Sequence, residues 1–162
     1  MNKRIRFIVA LTAVAFSVLS FPAAAQSADP WLGTWKVNLA KSTYSPGPKP
    51  TTAATVKIEP WQGGMKTTID ATNAQRQPTH TETIGKFDGK DNPVMGAPVP
   101  NTTTAYKRID ARSFEAMGKV DAKPGVTSRI AISADGKTLT ATQTGTNPQG
   151  QVVKNVIVAD RQ

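Results

Sequence analysis

The 162-residue chain contains no cysteine and a single histidine, His80. Without a thiol it forms no disulfide, ligates no metal through sulfur, carries no lipid on a processed cysteine and has no cysteine nucleophile. The lone imidazole has only scattered carboxylates for company. A metal centre gathers several His, Cys, Asp or Glu ligands, and a Ser or Thr nucleophile needs a positioned base. We therefore expect neither an enzyme nor a metal nor a cofactor. Aromatics make up only 6% of the chain. Lys57, Lys66, Lys86, Arg129 and Lys154 stand singly, and past the first residues only Lys107 and Arg108 are adjacent. Nucleic-acid binders cluster their cations on one face with aromatics to stack on bases, so no nucleic-acid partner is expected. After residue 25 no window repeats apolar residues at i, i+3, i+4 and i+7, so helices are not expected either.

The long hydrophobic run that is present comes first. Lys3, Arg4 and Arg6 precede the apolar stretch 7–19, Pro22 breaks it, and Ala23 and Ala25 supply small residues. This is the pattern of a secretory signal peptide cleaved after Ala25. The stretch is shorter than the roughly 20 residues that span a bilayer, so no membrane-spanning segment is expected. The expected organisation is a signal peptide at 1–25 and a single β-barrel domain at 26–162, delivered to the periplasm or secreted. The second part keeps 17 basic and 11 acidic residues, a formal charge of +6. Spread as it is, that charge reads as solubility, with a weak attraction to anionic envelope surfaces.

Threonine and β-branched residues recur in short runs separated by turn residues, which predicts strands at 34–38, 54–59, 65–70, 79–87, 103–109, 113–120, 126–133, 138–144 and 151–158. Gln62-Gly63-Gly64, Asp88-Gly89-Lys90, Asp135-Gly136-Lys137 and Asn147-Pro148-Gln149-Gly150 are turn sequences. Short connections force antiparallel neighbours. The reading is all-β, an antiparallel up-and-down barrel of eight or nine strands, with a β-sandwich as the alternative. Thr138, Thr140, Thr142 and Thr144 line one side of their strand, an outer wall. Inward candidates are Val37, Val56, Ile58, Met65, Ile69, Phe87, Tyr106, Phe114, Met117, Ile130, Leu139 and Ile157. His80 and Glu82 share a strand face and are expected to pair. Residues 44–50 and 92–101 are proline-rich and are expected to be stiff loops at one rim, where ligand contacts gather.

Gly33-Thr34-Trp35-Lys36 at the start of the first strand resembles the opening of the lipocalin and fatty-acid-binding group, the calycins. The closing stretch from Asp135 to Thr140 followed by a last strand is similar to their final hairpins. The resemblance implies that Gly33 permits a bend, that Trp35 plugs one barrel end, and that Arg161 lies across the indole. It also implies a periplasmic or secreted lipocalin-like protein with room for a small apolar ligand. Tyr106, Phe114, Met95 and Trp61, the last at a hairpin tip, are the candidate ligand contacts. The other reading is a non-enzymatic module with a packed barrel that inhibits or docks on an envelope protein. Oligomeric state is open.

Overall fold

Each short connection carries its own turn chemistry, and the segments between them become strands. In the computed structural model, which describes residues 29–73 and 75–162, these are β1 (Gly33–Val37), β2 (Thr55–Trp61), β3 (Gly64–Thr72), β4 (Pro78–Gly85), β5 (Asp88–Met95), β6 (Thr102–Arg108), β7 (Ser113–Val120), β8 (Lys123–Ile132), β9 (Thr138–Thr146) and β10 (Val152–Arg161). The signal-peptide reading of residues 1–25 lies outside the described residues. Asn73 and Asn147 act alike: each side-chain oxygen accepts two backbone N–H groups of its own turn, from Gln75 and Gln77 and from Gln149 and Gln151. At the β8–β9 turn Asp135 accepts from the Lys137 N–H while Gly136 takes a φ of +70°.

Every strand pairs antiparallel with its sequence neighbour, and β1 pairs with β10 through Trp35↔Arg161, Lys36↔Asp160 and Val37↔Ala159. The sheet is a closed up-and-down barrel, and closure removes the sandwich alternative.

The strand count is ten rather than eight or nine. The added strand is β5, which contains Pro93 and was expected to end in a loop. Its ladder to β4 covers only Glu82↔Met95 and Thr83↔Val94 and stops beside Pro93, whose missing N–H therefore costs that ladder nothing. On the other side Pro93 sits opposite Thr103 of β6. The Asp88-Gly89-Lys90 turn is likewise displaced. Phe87 forms the turn because its ring is drawn into the core, and Gly89, at φ +75°, lies in the irregular stretch of β5 between Asp88 and Asp91. β7 and β8 meet in a tight turn at Asp121 and Ala122, both at positive φ (49° and 61°).

Side-chain alternation assigns the faces. In β9, Leu139, Ala141 and Gln143 point inward, so Thr142 and Thr144 are exposed, as expected of an outer wall. In β7, Phe114, Ala116 and Gly118 point inward. Met117, expected inside, therefore faces out, because positions three apart on a strand cannot share a face. His80 does not pair with Glu82. Its Nδ1 lies 2.7 Å from Asp70 on β3, and Glu82 takes Lys66 instead. Asp70 and His80 are directly opposed in the β3–β4 ladder, where side chains are closer than i and i+2 neighbours on one strand.

Candidate functional site

The chain direction sorts the barrel into two ends. The β2–β3, β4–β5, β6–β7 and β8–β9 turns lie at one end with the start of β1 and the end of β10. The long connections 38–54 and 96–101 lie at the other, so both proline-rich loops share a rim as expected.

Aromatic rings seal the first end. Trp35 and Trp31 are both completely buried. The Trp35 Nε1–H donates to the Trp31 carbonyl at 2.8 Å. The Arg161 guanidinium carbon sits 4.1 Å from the Trp35 ring centre. Its nitrogens donate to the carbonyls of Gly136 (2.7 Å), Leu32 (2.8 Å) and Pro30. Gly33 is what lets Arg161 cross there. Its φ is +131°, and a Cβ at this position would lie 2.6 Å from an Arg161 nitrogen. Gly33, Trp35 and Arg161, grouped by the calycin resemblance, meet at this end.

A second cap of the same kind was not foreseen. The Trp31 ring packs edge-on against Phe114 (5.2 Å) and Phe87 (5.5 Å). Arg108 lies over both Trp31 (4.5 Å) and Phe87 (4.7 Å), held by a two-pronged contact to Asp29 at 2.8 Å on each arm. Trp31 precedes the first strand, where alternation gives no face to read. Its nearness to Gly33 was the one available hint.

Above this floor the barrel is hollow, with a cavity of about 510 Å³. Small inward residues (Ala54, Ala116, Gly118, Ala141 and Ala159) leave the space, and Val37, Val56, Ile58, Ile69, Ile130 and Ile157 make its walls apolar. Tyr44 and Pro50 of the first proline-rich loop reach over it. It shares Thr81, Val94, Gly118 and Val126 with a mouth region of about 670 Å³ bordered by Ala97, Pro98, Val99, Lys119, Lys123 and Pro148. A filled barrel does not describe this interior.

Besides Thr81 and Thr104, the polar groups of the cavity form two clusters. Thr67 and Thr83 are cross-strand partners on β3 and β4, and Tyr106 of β6 joins them. Burial pushes the Tyr106 phenol above its ordinary value, and the Thr67 and Thr83 hydroxyls pull it part of the way back. Nearer the mouth, the Gln143 amide donates to Ser128 (3.1 Å) and accepts from Asn155 (2.9 Å). These inward-facing hydroxyls and amides escaped sequence reasoning, because strand threonines usually face solvent. No charged side chain lines the cavity among the described residues.

Of the four candidate ligand contacts, Tyr106 and Phe114 line the cavity near its floor. The other two lie elsewhere. Met95 is 52% exposed because Val94 takes the inward position. Trp61 is 43% exposed at the sealed end, outside the barrel. It borders a separate crevice of about 260 Å³ between β4 and β5, with the Lys66 ammonium 6.0 Å from its ring. The hairpin tip was read correctly, but the tip is at the end away from the mouth.

The outer surface carries ion pairs such as Lys57–Glu59 and Lys66–Glu82. Polar outside and apolar inside is the reverse of a transmembrane barrel. No helix among the described residues is long and apolar enough to cross a membrane.

Fold and site together define a closed antiparallel barrel with one sealed end and an apolar cavity open at the other. No protein-family model and no curated protein matches the chain. Among solved structures it is similar to zebrafish ileal bile acid-binding protein complexed with cholic acid, at a TM-score of 0.47 and 12% identity, over 82% of this chain and 99% of that one. A likeness of that degree leaves the contents of this barrel to be argued from its own lining.

Proposed function

We propose that this chain is a calycin-like carrier, exported by the signal peptide at 1–25, that binds a small apolar molecule inside the barrel without transforming it. The carrying observation is the cavity of about 510 Å³, enclosed by apolar walls, closed below by Trp31 and Trp35 and open above. Pockets of several hundred Å³ lined mainly by apolar side chains are typical of small-molecule sites. An empty apolar interior also forgoes dispersion contacts that an occupant would restore. Among the described residues no nucleophile–base pair lines the cavity, so retention rather than chemistry is the reading.

The test is native mass spectrometry of the protein purified gently from its own compartment. We expect a co-purifying small molecule that denaturation releases. Ala116→Leu and Ala141→Leu, which fill the cavity with side chains, should keep or raise the melting temperature while losing the bound mass. A clean apo mass that stays unchanged after exposure to fatty-acid and isoprenoid panels would overturn the carrier reading.

A further inference from the structure

We propose that the occupant is an uncharged amphiphile that enters polar end first, setting a hydroxyl or carbonyl oxygen against Thr67 and Tyr106. This rests on the carrier reading and names the chemistry of the same cavity.

The first observation is the lack of charge. The chain is strongly basic, with a formal charge of +9, yet none of that charge reaches the cavity wall among the described residues. The basic groups around it are engaged or held outside. Lys119 at the mouth is paired with Asp91 at 2.8 Å. Arg108 and Arg161 lie beneath the floor, on the far side of Trp31 and Trp35. An ionised carboxylate or phosphate drawn into this barrel would lose its water and meet no cation. Burial without a counter-charge is the most unfavourable fate for such a group. A neutral oxygen faces only the need for one or two hydrogen bonds.

The second observation supplies those bonds at depth. Thr67 Oγ1 is closed off from solvent and has no hydrogen-bond partner in the protein. It belongs to the cavity lining, opposite Thr83 and beside Tyr106. Buried hydroxyls are nearly always satisfied, so this one, which a turn of the Thr67 side chain brings to the cavity face, marks a place for a ligand atom. The polar pair nearer the mouth is different, because Gln143 already bonds Ser128 and Asn155. Among the described residues of the lining, Thr67 carries the one hydroxyl that is both buried and unpartnered, and the apolar walls above it suit a hydrocarbon tail.

The experiment is isothermal titration calorimetry of the full-length processed protein with three matched probes: dodecanol, dodecanoate and dodecane. At neutral pH the acid is ionised, since ordinary carboxylates titrate near about 4. Dodecanol is expected to bind at least about 100-fold more tightly than dodecanoate. Thr67→Val and Tyr106→Phe should each weaken dodecanol about tenfold and leave dodecane unchanged. Gln143→Lys, which puts a cation in a wall position that is already polar, should shift the preference toward dodecanoate, with circular dichroism checking the fold. Equal affinity for dodecanol and dodecanoate in the unmodified protein would overturn this proposal while sparing the carrier reading. Insensitivity of dodecanol binding to both Thr67→Val and Tyr106→Phe would overturn the polar-end-first placement. Binding of none of the three would remove the carrier reading and this inference with it.

Discussion

At the sealed end of the barrel, Trp31, Trp35, Phe87 and Phe114 interlock edge to face, and Arg108 and Arg161 lie across the two indoles. At the open end the inward positions hold Val94, Gly118 and Val126, and proline-rich loops stand around the gap. Seven aromatic residues follow residue 25. Five of them, counting Tyr106, sit in or just above the floor, leaving Tyr44 at the mouth and Trp61 outside. The contrast shows how a chain without disulfides keeps a hollow barrel folded. Large rings concentrate apolar burial at one end, and that concentration offsets the contacts missing from the other.

If stability is this unevenly distributed, matched truncations at the two ends must differ. Trp35→Ala is expected to cost about 3–5 kcal/mol, the usual range for removing a buried large aromatic. That is a large part of the total for an ordinary domain, about 5–15 kcal/mol. Val126→Ala, at the rim of an existing cavity, should cost about 1 kcal/mol or less because no new closed void forms. Urea unfolding of both variants measures the difference. Equal losses would mean that the mouth carries as much of the fold as the floor.

A smaller effect separates the floor's rings from the cation that covers them. Arg161→Ala removes three donors to carbonyls and the cover over Trp35, and should cost about 2 kcal/mol. Arg161→Lys should recover little of this, since an ammonium cannot serve three carbonyls and stack at once. Arg108→Ala should cost less, because its Asp29 partnership is partly exposed to solvent, where such pairs are worth little. Thermal melts of the three variants give the order.

Much of this contrast was legible in the residues, though unequally. Gly33, Trp35 and Arg161 were grouped by the calycin resemblance alone, since the contact of Arg161 with Trp35 spans nearly the whole chain. Alternation in β9 placed the outer threonines without any knowledge of neighbours. What escaped was decided by tertiary context. Pro93 sits inside β5 only because the β4–β5 ladder stops short of it. Asp121 and Ala122 form a two-residue turn without glycine, while the turn-like Pro124-Gly125 pair lies inside β8. Met117 and Phe114 could not both face inward, and apolar character alone did not say which would. The cavity is a difference between barrel volume and the summed volume of inward side chains, and no short motif records a difference. Trp61 was read at the right turn but as a ligand contact, since which end of the barrel that turn occupies is set by topology alone.

Acid offers a way to weaken the floor's turns. The Ser113 hydroxyl and the Arg112 N–H hold Asp110 below the usual carboxylate range, and the Ser133 hydroxyl and the Lys137 N–H do the same for Asp135. Asp160 is lowered by Asn38 and then Lys41. A carboxylate lowered in the folded state contributes stability above its unfolded value of about 3.9, and that contribution fades as pH falls through the folded value. Melting temperature should therefore fall as the solution is acidified below about pH 4. The Asp110→Asn, Asp135→Asn double variant should melt lower near neutrality and show a flatter acid limb. An unchanged acid limb would place the sensitivity away from these two turns.

The finest probe compares the two tyrosines, one at each level of the cavity. Tyr106 is 5% exposed beside Thr67 and Thr83, whereas Tyr44 is only half-buried at the mouth, and burial raises the pKa of both. A raised phenol keeps its proton in the folded state after the unfolded chain would release it near about 10. The associated stability is present below that value and disappears as pH rises through the folded pKa. Following tyrosinate absorbance through an alkaline titration, we expect Tyr44 to ionise first and Tyr106 later. Tyr106→Phe should abolish the later step and lessen the alkaline loss of stability. An apolar occupant of the cavity should delay both steps, and Tyr106 more than Tyr44, because only the deeper phenol would lose its remaining access to water from every side. If the occupant delays Tyr44 alone, it rests in the mouth rather than on the floor, and the hollow between the two ends serves a different purpose from the one its lining suggests.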